Sequence, residues 1–478
     1  MPHSSAALAA SNAPFRHAAR FVSPLLGRWG GAFLLAFLFL VLNGSSAWAQ
    51  TAAKPAAKWA ADSGDTAWML ASAALVLFMT PGLGFFYGGL VRGKNMLNTL
   101  LMSYGAMAIL AVAWAIVGYS IAFGNDKSEL WGGLQFLGLS GVGAESPYPN
   151  ALAQTIPHQA FMVFQMMFFI ITPALISGSL VERMKFTTFM VYILLWGLLV
   201  YCPVAHWVWQ PNGWAFKQGA YDFAGGAVVH VNAGFAALAA TLALGKRKGY
   251  NETLMRPHNL PFCLLGVGML WFGWYGFNAG SALGSGSLAT VAFVNTTLGA
   301  ASAMLAWMLI EQVLRKEMTA LGAGTGAVAG LVGITPACGF VTPGGAMMVG
   351  AITACVCYVM ATLRAKGPVD DSLDAFAVHG VGGFTGAILT GVFASSSLKS
   401  LNTSIVANKP AGLLEGNVGQ FITQFEVTAA VALYTFVMSF IICKVLQAVM
   451  GLRVSDEVEQ RGLDIGLHGE EAYSEAAG

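Results

Sequence analysis

Residues 222–234 read DFAGGAVVHVNAG, and residues 371–383 read DSLDAFAVHGVGG. Each stretch opens with an aspartate and carries a histidine eight residues later, His230 in the first and His379 in the second. Both stretches open a long apolar segment. Ionisable side chains at membrane depth are expensive and usually mark a functional pathway. The repetition of this pattern guides the interpretation of the rest of the chain.

The composition is that of a membrane protein. The 478 residues are 56% hydrophobic and only 10% charged, whereas a soluble domain carries about 25% charged residues. Apolar runs of about 20 residues recur along the chain, which is typical of transmembrane helices. We therefore predict an all-α polytopic membrane protein. The formal net charge of +2 argues against a nucleic-acid partner.

The N-terminal segment is predicted to be a signal peptide. Three arginines precede the apolar run GAFLLAFLFLVL, and the stretch NGSSAWAQ follows it. Its small residues fit a signal-peptidase site after Ala49. We predict residues 1–49 as the signal peptide of a bacterial envelope protein, with an additional membrane helix as the alternative. The mature N-terminus would then lie outside the membrane.

The remaining chain divides into a membrane domain, 50–450, and a C-terminal tail, 451–478. Lys and Arg concentrate in the loops that an outside N-terminus places inside, which agrees with the positive-inside rule. The C-terminus is therefore predicted to be cytoplasmic. Eleven spans are predicted, at 67–91, 95–123, 158–181, 186–208, 222–245, 259–281, 288–311, 320–337, 341–363, 372–395 and 418–447.

The two aspartate–histidine stretches predict an inverted repeat. They open the fifth and tenth spans, and because five is odd, the two halves run in opposite directions across the membrane. Eight helical residues rise about 12 Å, and the hydrocarbon core is about 30 Å thick. His230 and His379 should therefore meet near the middle. Asp222 and Asp371 are placed to cap their helices.

Other interpretations of the histidines stay open at this point. Each could be a polar residue that joins neighbouring helices by a hydrogen bond. A metal site would need three or more converging ligands, and these spans contain no His-x-x-His or Glu-x-x-His spacing. The six cysteines show no zinc-type spacing and are predicted to be buried thiols. We predict neither a metal nor another cofactor.

Aromatic residues cluster in three stretches, PVAHWVWQPNGW, VFQMMFF and WFGWYGFNAGS. Aromatic faces attract a desolvated cation, and the hydroxyl of Ser281 could accept a hydrogen bond from an N–H donor. Trp209 alone would also fit an interfacial belt residue. The stretch GAGTGAVAG, 322–330, superficially contains a nucleotide-loop pattern, but it lies in a span. We predict that its small residues allow close helix packing.

Several stretches in fixed order carry a resemblance to one family: FMTPGLGFFYGGLVRGKN, DFAGGAVVHVNAG, RPHNLPF, GWYGFNAGSA, AFVNTTL, AGLVGITPACGFV, DAFAVHGVGG and GLRVSDEVEQRGLDIGLHGEEAY. With these stretches the chain resembles the ammonium transporter (Amt) family, to which the Rh proteins are related. The resemblance covers nearly all of residues 65–475 and is greatest to bacterial members.

The resemblance implies roles for individual side chains. Trp209 and Phe168 would form an outer ammonium site, with Ser281 as hydrogen-bond acceptor. Phe168 and Phe277 would be stacked gate rings below that site. Two methionines precede Phe168 where the family pattern has small residues, so Phe164 remains an alternative for the gate.

The resemblance also implies how the substrate passes. His230 and His379 would line a narrow apolar pore, and Asp222 would support ammonium recruitment. The implied function is ammonium transport, in which ammonium binds outside, loses a proton and passes as ammonia, with or without a separate proton. The sequence does not decide between these two modes. No enzymatic activity is expected, because no nucleophile accompanies the histidines in the predicted pore.

The implied partners are the lipid bilayer, two further copies of the chain in a homotrimer, and a cytoplasmic PII-type signalling protein. The tail carries GLRV, GLDIGLHG and Tyr473, which predicts a docked segment. An ammonium sensor with the same fold and a Rh-like channel for neutral ammonia are the alternatives. A sensor would need an output module, and Trp209 at the mouth favours Amt over Rh. Glu426, early in the last span, has no assigned role.

Overall fold

A computed structural model describes residues 59–125, 128–150, 152–252, 255–401 and 411–473. The predicted signal peptide, 1–49, lies outside the described residues. Within the described residues the chain is helical, and pairing between extended segments is confined to two isolated bridges, Met184 with Arg453 and Val341 with Ala394.

Eleven apolar helices follow one another in the described residues: α1 (Ser63–Leu90), α2 (Gly93–Phe123), α3 (His158–Ser179), α4 (Phe186–Gln218), α5 (Gly226–Leu244), α6 (Leu260–Gly280), α7 (Ser287–Arg315), α8 (Ala320–Ile334), α9 (Pro343–Lys366), α10 (Phe376–Phe393) and α11 (Val418–Val449). Ten of them are long and apolar enough to cross a membrane. The shorter one, α8, has 15 residues and spans about 22 Å.

Helix starts follow from capping residues in the sequence. Asn259 accepts a hydrogen bond from the backbone N–H of Phe262 at the start of α6, and Thr342 caps α9 directly before Pro343. Proline is favoured at the first helical position because it lacks the N–H that would be unpaired there. The continuous part of α4 ends at Trp209, and a single helical turn, Trp214–Gln218, follows it.

Glycine lets the helices approach closely. A Cβ atom on Gly266 of α6 would lie 2.3 Å from the backbone nitrogen of Phe86 in α1. On α8, a Cβ atom on Gly326 would lie 2.6 Å from the Cβ atom of Trp307, and one on Gly330 would lie 2.4 Å from that of Ala303. The predicted packing role of the stretch 322–330 is therefore confirmed, because small residues permit such contacts between membrane helices.

Buried charged side chains connect the loops at one end of the helix bundle. We call the end at which α4 reaches Trp209 the outer end, and the opposite end the inner end. At the inner end a buried ion network connects the loops. Glu182 accepts hydrogen bonds from the side chains of Arg92, Asn95 and Arg247 at 2.7–2.9 Å, and Arg247 also binds Asp370.

The pKa of Glu182 reflects this network. Burial raises the pKa, but the guanidinium of Arg247 and the hydrogen bonds from Arg92 outweigh burial and lower it to about 2. Glu182 therefore stays ionised and holds three separate segments of the inner end together.

The tail docks against the inner end, as the sequence predicted. Its helix α12 (Asp456–Arg461) is followed by Asp464, whose carboxylate accepts hydrogen bonds from the backbone N–H groups of Leu97 and Asn98 at 3.0 and 2.8 Å. Tyr473 bonds His258 at 2.8 Å through its hydroxyl group. The two hydrogen bonds to Asp464 satisfy backbone N–H groups in the first turn of the α-helical part of α2, which would otherwise lack partners.

Glu426 lies at the surface of the outer end, where its carboxylate accepts a hydrogen bond of 2.6 Å from the side chain of Gln218. Two buried glutamines, two and six residues earlier on α11, bond the loop that follows Gln218. Gln420 donates to the carbonyl of Gly219 at 3.0 Å, and Gln424 donates to that of Tyr221 at 2.7 Å. Glu426 therefore helps to fix the loop between α4 and α5.

Candidate functional site

Three cavities follow one another from the outer to the inner end. The central one is lined mainly by apolar side chains together with His230 and His379, and His379 also lines the inner cavity beside Ser372 and Asp374. The outer cavity contains most of the remaining predicted site residues, and its lining includes Gln165, Phe168, Trp209, Asp222 and Ser281. The structure therefore brings the predicted site residues onto one path through the bundle.

The outer cavity combines aromatic faces with a hydroxyl acceptor. The ring of Trp209 meets that of Phe168 edge to face, with centroids 5.6 Å apart. The indole N–H of Trp209 is already bound, because it donates to the backbone carbonyl of Asp222 at 3.0 Å. The hydroxyl of Ser281 donates to the carbonyl of Phe277 at 2.8 Å, which leaves its oxygen lone pairs free to accept a hydrogen bond.

Asp222 serves as the cap of α5. Its two carboxylate oxygens accept hydrogen bonds from four successive backbone N–H groups at 2.5–3.1 Å, those of Gly225, Gly226, Ala227 and Val228. A carboxylate at this position satisfies the free donors of the helix and is stabilised by the helix dipole. The side chain lines the outer cavity, but its oxygens are occupied by the helix.

Two phenylalanine rings close the path below the outer cavity. Phe168 and Phe277 have ring centroids 4.3 Å apart, with planes inclined by 37°, and each is only 1% exposed. Phe164 contacts Phe168, with ring centroids 5.0 Å apart, but it is not among the residues that line the outer cavity. The geometry of the constriction therefore favours Phe168 over Phe164.

The two histidines meet below this constriction. Their Nδ1 atoms are 3.3 Å apart, and their ring planes are inclined by 21°. The ring of His230 also stacks on Trp274, with centroids 5.5 Å apart. The two imidazoles come from the fifth and tenth helices, and their contact agrees with the prediction from the repeated eight-residue spacing.

Each histidine lies on one π-helical turn, Gly226–Val231 in α5 and Phe376–Val381 in α10. Such turns are rare in proteins overall, and those that occur are often found at functional sites. A glycine four residues after each histidine makes room for the other helix. A Cβ atom on Gly234 would lie 2.0 Å from the backbone nitrogen of Gly380, and one on Gly383 would lie 2.7 Å from the Cβ atom of His230.

A single hydrogen bond between the rings determines which of the remaining ring nitrogens donates and which accepts. If both rings are neutral, the ring that donates its Nδ1–H exposes a lone pair at Nε2, and the accepting ring carries its proton on Nε2. The pair therefore offers one donor and one acceptor at its remaining nitrogens. Within the described residues, the buried Nε2 atom of His230 has no hydrogen-bond partner.

Asp371 repeats the capping role of Asp222 in the second half. Its carboxylate accepts hydrogen bonds from the backbone N–H groups of Ala375 and Phe376 at 3.1 and 2.9 Å, and a short one from the hydroxyl of Ser179. Sequence reasoning missed Ser179 and the stacking residue Trp274. The second stands three residues before Phe277 in an aromatic stretch, which was the available signal.

These features define a polytopic helical membrane protein with a narrow path that is aromatic at its outer mouth and apolar around two histidines. Among the described residues, no group of three or more His, Cys, Asp or Glu side chains is placed to hold a metal ion. The sequence model of the Ammonium Transporter Family matches residues 67–473. The chain belongs to this family.

Curated relatives are similar over most of their length. An ammonium transporter of Bacillus subtilis is 45% identical over 414 residues, which cover 86% of this chain and 99% of the relative. An ammonium transporter of Aquifex aeolicus is 47% identical over 419 residues, covering 86% and 94% of the two chains.

Solved structures share the fold. Mep2 of Saccharomyces cerevisiae aligns with a TM-score of 0.77 at 34% identity, covering 83% of this chain and 88% of the other. A protein described as a sensor Amt protein aligns with a TM-score of 0.76 at 28% identity, covering 85% and 98%.

Proposed function

We propose that this protein transports ammonium across a membrane and that the transported species crosses the middle of the bilayer as ammonia. The observation that carries the proposal is the Phe168–Phe277 constriction. It separates an outer cavity with features that suit a cation from a mainly apolar cavity that is lined by His230 and His379. Membership of the ammonium transporter family supports the substrate.

The outer cavity suits ammonium in two ways. The faces of Trp209 and Phe168 attract a desolvated cation by about 0.5–2 kcal/mol, and the oxygen of Ser281 accepts an N–H bond. Potassium has a similar size and charge but donates no hydrogen bond and cannot lose a proton. The same site therefore discriminates by chemistry that only ammonium offers.

Deprotonation must precede the central cavity, because a bare cation at membrane depth is costly. Ammonia is neutral and can both donate and accept hydrogen bonds. The donor and acceptor that the histidine pair presents match such a molecule, and in the described part of the chain the Nε2 atom of His230 has no hydrogen-bond partner. The released proton either stays outside or crosses separately along the imidazoles, which makes transport electroneutral in the first case and electrogenic in the second.

The two capped π-helical turns and the reciprocal glycines support an inverted repeat of five plus five spans, followed by α11. In this arrangement the short helix α8 crosses together with the turn at 335–340. The clustered Lys and Arg residues support a cytoplasmic inner end. We propose a bacterial inner-membrane protein with signal peptide 1–49, a transporter domain over 50–450, and the tail 451–478 inside.

Two partners belong to the proposal by family resemblance. One is a homotrimer, and the other is a PII-type signalling protein at the inner end. A second candidate function, ammonium sensing, is favoured by the likeness to the sensor Amt protein. Sensing requires binding in the outer cavity without net transport, so the two functions differ in flux.

The test uses proteoliposomes that contain the full chain without its signal peptide and an internal pH dye. An ammonium jump should give a current, an alkaline shift inside, or both, and an equal potassium jump should give neither. A pH shift without current would indicate a channel for neutral ammonia. Silence in both measurements, together with calorimetric ammonium binding, would contradict transport and favour the sensor.

A further inference from the structure

Gln165 lies in the outer cavity, although it belongs to an apolar stretch of α3. It stands three residues before Phe168 and four after Phe161, so the three side chains share one helix face, and all three line the outer cavity. Gln165 is 8% exposed. A glutamine at this depth needs a reason, because burying a polar group without a partner costs free energy.

The amide oxygen of Gln165 is an unused acceptor. Its Oε1 atom is buried and has no hydrogen-bond partner within the described residues. Most buried polar atoms are hydrogen-bonded, and an unpaired one calls for an explanation. Here the atom belongs to a side chain that borders a cavity suited to an N–H donor.

The other side-chain oxygens of this cavity do not by themselves satisfy the N–H groups of an ammonium ion. The carboxylate of Asp222 is occupied by four backbone N–H groups. The hydroxyl of Ser281 has lone pairs available, but it supplies a single atom. Ammonium has four N–H donors, and aromatic faces do not satisfy them as well as oxygen does. A second oxygen would lower the cost of removing ammonium from water.

We propose that the amide oxygen of Gln165 accepts a hydrogen bond from ammonium in the outer cavity and, with Ser281, sets the affinity of that site. This inference rests on the proposed transport function. A hydrogen bond from a cation to a carbonyl oxygen is charge-assisted and stronger than a neutral one. Because the contact is made with bound ammonium before deprotonation, its loss should weaken binding more than it slows the maximal rate.

The experiment compares three variants with the wild type in the proteoliposome assay over a range of ammonium concentrations. Gln165→Met keeps the length of the side chain and removes the acceptor. Gln165→Glu keeps an acceptor and adds charge. The control is Gln159→Met on the same helix, where the glutamine is exposed and bonds the carbonyl of Val142 at 3.2 Å.

Gln165→Met should raise the half-saturating ammonium concentration about tenfold, with the maximal flux within twofold of the wild type. Gln165→Glu should have a half-saturating concentration at or below that of the wild type, and Gln159→Met should match the wild type. An unchanged half-saturating concentration in Gln165→Met would overturn the inference. A rise in Gln165→Glu as large as in Gln165→Met would also overturn it, because it would indicate packing.

The second variant keeps the test decisive if Gln165→Met does not fold. The inference and the proposed function also fail separately. A silent wild type would remove the proposed function, whereas a transporting wild type with an unaffected Gln165→Met variant would remove only the role of Gln165.

Discussion

Glu182 at the inner end and His230 in the middle of the bundle are both almost fully buried, at 0% and 1% exposure, but their surroundings differ. Glu182 is charged, and its oxygens bind two arginines and an asparagine. Among the described residues, the hydrogen-bond partner of His230 is His379, and its ring also stacks on Trp274. A buried carboxylate held by several charged and polar partners stabilises the fold, whereas a buried imidazole that lines a cavity and keeps an unpaired nitrogen among the described residues can contact a passing molecule.

The largest stability effect is expected at the inner end. Glu182→Gln removes the carboxylate charge that pairs with Arg92 and one of the two that pair with Arg247, and breaking a buried ion pair costs about 3–5 kcal/mol. The control is Glu129→Gln, which removes an exposed pair with Lys217 and should cost less than about 1 kcal/mol. Unfolding in detergent micelles measures both, and equal losses would contradict a structural role for the network.

The same carboxylate predicts a pH dependence. Arg247 and Arg92 hold the pKa of folded Glu182 at about 2, below its usual value of 4.5. Its contribution to stability is therefore complete above pH 4.5 and is lost as pH falls towards 2. The difference in unfolding free energy between wild type and Glu182→Gln should be constant from neutral pH to about 5 and should shrink below. A difference that grows on acidification would refute this assignment.

A smaller loss is expected where the two histidine helices touch. Gly234→Ala puts a Cβ atom 2.0 Å from the backbone nitrogen of Gly380, and overpacking of this kind costs about 1–3 kcal/mol. Transport should fall as well, because the helices that carry His230 and His379 are forced apart. Gly268→Ala is the control, since no atom of the neighbouring described residues lies within 4 Å of its Cβ position. Equal stability and flux in the two variants would argue against the close contact.

The smallest effect concerns the tail. Asp464→Ala removes the carboxylate that caps the start of α2, and the loss of a cap costs about 1 kcal/mol. The tail should then be cleaved faster by added protease, while Glu471→Ala, an exposed carboxylate nearby, should behave as the wild type. Identical cleavage rates in both variants would show that Asp464 does not hold the tail.

The sequence predicted the histidines, which occur in a repeated pattern, and the aspartates that cap the helices carrying them. The eight-residue spacing was enough to expect that the two histidines meet, because helix rise and membrane thickness fix their depth. It could not separate Phe168 from Phe164, since both are aromatic residues one turn apart in α3 and only the position of Phe277 distinguishes them. It also gave no role to Glu426, whose partner, Gln218, lies 208 positions away in the chain.

The direction of hydrogen bonds was a second feature that could not be predicted from the sequence. Whether Ser281 can accept from a ligand depends on where its own proton goes, and that depends on the backbone carbonyl of Phe277. The unpaired oxygen of Gln165 could not be predicted either, because the sequence does not show which polar partners a buried glutamine finds among the described residues. The length of α8 was overestimated, since the apolar pattern continues through the turn that follows the helix.

The most direct test of the central claim is the response to an ammonium jump in proteoliposomes that carry either the wild type or His230→Ala, with potassium as the control ion. We predict that the wild type gives ammonium-specific flux and that His230→Ala, with the imidazole pair broken, loses its ammonium flux or its selectivity over potassium. An unchanged ammonium-specific flux in His230→Ala would contradict passage along the histidine pair and reduce the pair to a packing contact.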